Sequence, residues 1–242
     1  MNKYIDIHAH VLPGMGCGPE TTEESLAMLR TLHDHGVKTV IATPFFNPET
    51  ETADAFLARR EAAYARLRQA MGEEALPHVA LGAEVLLCPA VLECGRIDRF
   101  RVERTGYVLV CLPRGQEIDP ALMTLFDHFH VASGLVPILT DIDRYFNTIQ
   151  VEDMFALSRA GALLQVSCAG IMAHDTRKYA LYLLGNHIAQ FVSSGYASPQ
   201  DSPRLVEAMR VLKRSLPLVK YKRIKNNAGM LLSNAAVSEL VN

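Results

Sequence analysis

The sequence lacks an excess of charge, paired cysteines and long apolar runs, and each absence removes a class of protein. Lys and Arg total 24 against 26 Asp and Glu in 242 residues, a formal charge of -2. A chain whose main business is gripping nucleic-acid backbone is strongly basic, so nucleic acid is not the expected partner. The five cysteines, Cys17, Cys88, Cys94, Cys111 and Cys168, are an odd number with no CxxC spacing. Neither a disulfide framework nor a zinc ribbon fits, and a reducing compartment is expected. The start, MNKYIDIHAH, carries charge and two histidines where a signal peptide needs an apolar stretch. Apolar segments such as 79–92 are interrupted by Glu84 and Pro89 and are too short to span a bilayer. A cytoplasmic protein without membrane insertion is the expectation. Hydrophobic residues at 49% and charged residues at 21% exclude disorder as the main state.

What is present is a regular alternation. Short apolar, β-branched runs lie at 4–7, 37–42, 79–85, 107–111, 136–140, 162–167 and 189–193. Runs of this length without alternation suit strands buried on both faces of a parallel sheet. Helical patterns fall between and after them, at 22–35, 53–71, 120–132, 151–160, 177–186, 203–215 and 226–240. Thr21 and Glu24 form a capping box in front of the first. Gly36, Gly134, Gly161 and Gly185 each end a helical stretch just before a strand, where a left-handed cap is wanted. Repeated βα units with right-handed crossovers follow. No glycine-rich phosphate loop follows the first strand, which disfavours the nucleotide-binding open sheet. No linker or low-complexity tract divides the chain, so residues 1–242 read as one α/β barrel domain.

In such barrels the chemistry sits at the C-terminal ends of the strands. Strand one runs into His8 and His10, whose i, i+2 spacing points both imidazoles to one side. Glu84 is a carboxylate inside an apolar strand, costly there unless paired or metal-bound, and it points toward the two histidines. The fifth strand ends in Thr140-Asp141-Ile142-Asp143-Arg144, two acids and a guanidinium suited to forked phosphate recognition. Strand two ends in Thr43-Pro44-Phe45-Phe46, which cannot ligate, and strand seven in Ser193-Ser194-Gly195-Tyr196-Ala197. A Cys–His pair built on Cys17 or Cys168 is conceivable, although a buried cysteine is usually a small hydrophobe. His33, His35, His128, His130, His174 and His187 fall on helical or loop segments and read as surface or core residues.

The residues Asp6-Ile7-His8-Ala9-His10-Val11-Leu12-Pro13-Gly14, then Ala42-Thr43-Pro44, Gly82-Ala83-Glu84-Val85, Arg144-Tyr145, Phe191-Val192-Ser193-Ser194 and Asn227-Ala228-Gly229-Met230 carry a resemblance. In order and over essentially the whole chain, the sequence resembles the PHP-type protein-tyrosine phosphatases, the bacterial metal-dependent enzymes of capsular and exopolysaccharide operons. The resemblance implies a distorted barrel of seven βα units, a cluster of three metal ions, usually manganese, and a phosphate-holding arginine. His8, His10 and Glu84 carry over as ligands and Arg144 as the arginine. Elsewhere the family's ligands are exchanged. Cys17 replaces a loop Asp, and Phe45 a His. Asp141 replaces another His, with Asp143 in place of a Glu, and Gly195 and Ala197 stand for an Asp and a His.

The expectation is therefore at most one divalent ion, manganese, zinc or iron, or none. Its ligands would be His8, His10 and Glu84, with Asp141 as a candidate fourth and Cys17 and Asp143 as weaker ones. The implied partner is a phosphotyrosine-bearing protein, the tyrosine autokinase of polysaccharide synthesis, and a homo-oligomer stays open. Three readings follow: a divergent phosphatase with weak catalysis, a pseudoenzyme that keeps the barrel and binds a phosphotyrosine tail or an operon partner, or a barrel that has drifted and retains no ligand at all. In the second, Phe45 and Phe46 would fill the pocket.

Overall fold

The computed structural model describes residues 4–113, 115, 119–148 and 150–241. The chain opens with β1 (Tyr4–Ala9), α1 (Thr22–Asp34), β2 (Val37–Ala42), β3 (Phe45–Phe46), α2 (Ala53–Met71), β4 (His78–Leu81) and β5 (Glu84–Leu86). It continues through β6 (Tyr107–Cys111), α3 (Pro120–Ser133), β7 (Val136–Leu139), α4 (Val151–Arg159), β8 (Leu163–Ser167), α5 (Cys168–Met172), α6 (His174–Gly185) and β9 (Phe191–Ser193). It closes with α7 (Leu205–Ser215), α8 (Leu218–Leu232) and α9 (Val237–Val241). Every strand pairing among the described residues is parallel. β6 and β8 are buried at every residue, as strands covered on both faces must be.

The strands run in two groups, β1-β2-β4 and β3-β5-β6-β7-β8-β9. Gly195 N–H donates to the His8 carbonyl at 3.0 Å and His10 N–H to the Tyr196 carbonyl at 2.8 Å, which brings β1 against the end of β9. At the other junction Gly82 N–H donates to Ala42 O (2.9 Å) and Glu84 N–H to Pro44 O (3.1 Å). The result is a distorted α/β barrel. The expected third strand, 79–85, is broken into β4 and β5 at Gly82. A Cβ there would lie 3.2 Å from Ile41 Cγ2, so glycine is what permits the close approach.

Thr21 and Glu24 form the expected capping box of α1. Gly36, Gly134 and Gly161 adopt φ of +77°, +65° and +90° at the ends of their helices. Gly185 does not; it stays helical, a Cβ on it would stand 3.2 Å from Leu216 Cδ2, and the left-handed residue is His187. The expected tail helix at 226–240 is also corrected. α8 starts at Leu218 behind Pro217, and Asn234 at φ +57° separates it from α9. Ala228 and Leu231 of α8 and Leu240 of α9 pack with Ile7, Ile41 and Leu109 of the strands. Asn234 Oδ1 accepts from Gly106 N–H, just ahead of β6, so this tail covers the N-terminal end of the barrel.

Candidate metal centre

β1 carries His8 and His10 to the C-terminal end of the barrel, with ring centroids 5.2 Å apart at 66°. Glu84, the first residue of β5, faces both rings. His8 Nε2 is 3.4 Å from its Oε1, and His10 Nε2 is 3.6 Å from its Oε2. One donor atom from each of the three lies within 4.8 Å of the others, and all three residues are buried. Among the described residues no other trio of His, Cys, Asp or Glu gathers in this way.

The separations are too long for good hydrogen bonds. His8 Nδ1, His8 Nε2 and His10 Nδ1 have no hydrogen-bond partner among the described residues. Buried polar atoms left unpaired are costly, and an ion held by His8 Nε2 beside Glu84 would remove that cost at this nitrogen, while His8 Nδ1 faces Asp141 instead. Two imidazoles and a carboxylate suit zinc, manganese or iron. The donor set fits a single divalent ion.

The electrostatics agree. Burial pulls His8 down, but Glu84 and Asp141 on either side outweigh it and push the imidazole up to about 10. Burial drives His10 down to about 4, helped by repulsion from His8. Burial would raise Glu84, yet the adjoining His8 holds it well below the usual carboxylate range. One positive charge is thus demanded between these carboxylates. A proton on His8 or a metal ion supplies it, and the two compete for the same nitrogen.

Asp141 lies beside this trio rather than in it. Its Oδ1 is 3.6 Å from Nδ1 of His8, the ring nitrogen turned away from Glu84. Its Oδ2 receives Arg144 Nη2 at 2.7 Å. A carboxylate behind the second nitrogen of a ligating histidine orients the ring and raises its basicity. Asp141 is held in a left-handed conformation (φ +46°), its N–H donating to Gln165 Oε1 at 2.7 Å. Arg144 keeps 60% of its side-chain surface exposed, with further N–H donors free to meet a phosphoryl group.

Neither of the two weaker candidates joins the trio. Asp143 accepts Ser167 N–H and Ser167 Oγ–H at 2.7 Å each, and Ser167 Oγ in turn accepts Gly170 N–H at 2.9 Å. This is a cap for the start of α5, with both carboxylate oxygens engaged. Asp143→Ala should lower stability by about 1–2 kcal/mol and leave the bound-metal count unchanged, read by thermal melting beside metal analysis. Cys17 is exposed and lines the cleft outside the trio. Cys168 is buried, and burial pushes its thiol up, the opposite of a reactive thiolate.

The cleft over the trio encloses about 960 Å³, with Phe45, Leu86, Leu112, Arg144, Gly195 and Ala197 in its walls. Phe46 is not among them. It turns into the core and stacks on Phe100 with centroids 4.5 Å apart, so the expectation that both phenylalanines fill the pocket is corrected.

Three supporting residues went unassigned from the sequence. Thr140 Oγ1 donates to Glu84 Oε1 at 2.6 Å. Gln165 holds Asp141, and Asp6 accepts Ser194 N–H at 3.0 Å and its hydroxyl. Asp6 and Gln165 carry the signal that singled out Glu84, a polar side chain inside an apolar strand. Thr140→Val should weaken metal binding by about 10–100-fold without unfolding the barrel, measured by competition with a chromophoric chelator.

A parallel α/β barrel with a His-x-His strand end facing a glutamate at its C-terminal rim is the architecture of the PHP-type metal-dependent phosphatases. The chain belongs to the CpsB/CapC family of capsular polysaccharide synthesis, which matches residues 4–233. It is similar to tyrosine-protein phosphatase YwqE of Bacillus subtilis (strain 168), at 26% identity over 96% of this chain and 93% of the relative. It is also similar to the putative tyrosine-protein phosphatase CapC of Staphylococcus aureus, at 22% identity over 98% and 94%. The fold matches one solved chain from the crystal structures of the metal-dependent tyrosine phosphatases YwqE of Bacillus subtilis and CpsB of Streptococcus pneumoniae, with a TM-score of 0.82, at 24% identity over 96% of this chain and 96% of that one.

Proposed function

We propose that this chain is a single-domain, divergent metal-dependent phosphotyrosine phosphatase of capsule synthesis, working with a reduced centre and turning over slowly. The observation that carries the reading is the buried His8–His10–Glu84 trio with unpaired ring nitrogens, set beside the exposed guanidinium of Arg144. A divalent ion bound there supplies charge that acidifies water and draws in phosphoryl oxygens. Arg144 holds the phosphoryl group through a fork whose charge and geometry do not depend on metal. Asp141 pairs with Arg144 and lies 3.6 Å from the His8 ring, so one carboxylate stands between the metal side of the site and the phosphate side. Phe45, Leu86 and Leu112 offer an apolar wall to a phenyl ring.

Phe45, Gly195 and Ala197 bring no metal donor to that cleft, so clamping attacking and leaving oxygens between several cations is not available. Binding therefore outlasts catalysis. The substrate class is a phosphotyrosine-bearing protein of polysaccharide synthesis, met in the cytoplasm. No helix of the described residues is long and apolar enough to cross a membrane.

The test is metal stoichiometry after extensive dialysis, with p-nitrophenyl phosphate turnover in added manganese. At most one ion per chain is expected, with turnover well below about 1 per second. Two or more ions, or ordinary enzymatic rates, would overturn the reduced centre. The apolar Phe45 wall also favours a second reading, a phosphotyrosine binder without turnover. Retained phosphotyrosine-peptide binding with no manganese-dependent hydrolysis would select it.

A further inference from the structure

Charge is segregated along this chain. Residues 208–238 contain seven Lys and Arg, all between Arg210 and Lys225, and no Asp or Glu, so all 26 acidic residues lie elsewhere. A chain of net charge -2 thus has one strongly basic region and an acidic remainder. The basic stretch is the end of α7, the corner at Pro217 and the first half of α8; it lies beside Tyr4 at the start of β1 and Gly36 just ahead of β2, so at the N-terminal end of the barrel and opposite the candidate metal centre.

The same corner exposes apolar surface. Leu218 is 55% and Val219 79% exposed, two of only five large hydrophobic residues exposed among those described. Scattered single apolar residues need no explanation, but an adjacent pair ringed by cations does. Arg210, Lys213, Arg214 and Lys222 around it are exposed. Behind the corner, a groove of about 910 Å³ opens between α7, α8 and the starts of β1 and β2. Arg210, Lys213, Lys222 and Lys225 line it, with Asp34 and Glu207 as its acidic members. Lys220 Nζ donates to the Gly185 carbonyl.

We propose that the α7–α8 corner docks this protein on an anionic lipid bilayer, with Leu218 and Val219 entering the interfacial layer and the surrounding lysines and arginines meeting headgroup phosphates. An apolar pair on a protruding corner, ringed by basic side chains, is what an interface of headgroups and acyl chains accommodates without shape complementarity. An acidic polypeptide would have to cover the same pair with a complementary pocket of its own. The acidic remainder of the molecule orients the corner toward a negative surface. Docking by this end leaves the rim with His8, His10 and Arg144 facing away from the bilayer, open to a protein substrate.

The test is co-sedimentation of the full chain with phosphatidylcholine vesicles, with and without phosphatidylglycerol. Binding is expected only with phosphatidylglycerol, weakening as salt rises. Each basic residue near the surface is worth about fivefold in partitioning, so Lys213→Glu with Lys222→Glu should reduce it by about 25-fold or more. Leu218→Glu with Val219→Glu should abolish it. All four side chains are exposed, and an unchanged melting temperature shows that each variant is folded. Failure to sediment with phosphatidylglycerol vesicles, equal binding to neutral ones, or indifference to either pair of substitutions would overturn the proposal. So would preferential capture on immobilised poly-glutamate, which would mark the corner as a site for an acidic protein.

Discussion

Glu84→Gln should abolish stoichiometric metal binding while leaving the barrel folded, the largest loss expected from any single conservative change. Glu84 is the one residue of the trio that brings negative charge, and it lies 3.4 Å and 3.6 Å from the Nε2 atoms of His8 and His10. An amide keeps the shape and still accepts from the Thr140 hydroxyl, so packing is preserved. What goes is the charge that offsets a divalent cation. Loss of a supporting residue alone costs about 10–100-fold in metal affinity, and loss of a charged ligand should exceed that. The fold should tolerate the change, because neutralising a buried carboxylate also removes its burial cost. Equilibrium dialysis against zinc and manganese reads the affinity and thermal melting reads the fold. A variant that still holds one ion tightly would move the centre away from Glu84. Cys17→Ser, in the same experiment, should leave binding unchanged.

Much of this arrangement is legible in the sequence, for local reasons. Strands buried on both faces leave short apolar runs, and a helix that must turn straight into a strand favours glycine at its end, as at Gly36, Gly134 and Gly161. His8, His10 and Glu84 were legible because a charged or imidazole side chain in an apolar strand demands a partner. What stayed hidden depends on contacts far apart in sequence. The break at Gly82 is set by the approach of Ile41 and Val102. The start of α8 is hard to see in the sequence because four of its first eight residues are basic, with Tyr221 and Ile224 the buried positions there. Asp141 read as a ligand from its place at a strand end. Its turn to the far side of His8 follows from a left-handed backbone pinned by Gln165, 24 residues away. Asp143 read as a ligand by proximity, but Ser167 claims both of its oxygens.

Placing together the donors that the family resemblance implies at these positions should have the opposite and larger effect. The variant carries Cys17→Asp, Phe45→His, Asp141→His, Gly195→Asp and Ala197→His. Cys17, Phe45, Gly195 and Ala197 all line the one cleft over the trio, so donors placed there share a common space. Phe45 is paired in register with Glu84, which sets an imidazole at that position beside the existing carboxylate. Gly195 is the demanding site. Its φ is +62°, and a Cβ would stand 3.5 Å from Asp141 Oδ2, so Gly195→Asp alone meets both backbone strain and a like charge. That single change should cost about 1–2 kcal/mol, since Asp tolerates the left-handed region better than most residues but not freely. Asp141→His relieves the repulsion, adds a donor, and releases the Arg144 guanidinium from its 2.7 Å ion pair to face phosphate. Clustered cations supply several kcal/mol of stabilisation to a phosphoryl-transfer transition state, and about 1.4 kcal/mol is tenfold in rate. Manganese-dependent turnover of p-nitrophenyl phosphate should therefore rise at least about 100-fold, with more than one ion bound per chain. A folded variant that binds the additional manganese without gaining rate would mean that the exchanged ligands are not what limits this site, and that the barrel itself has been adapted to hold phosphotyrosine rather than cleave it.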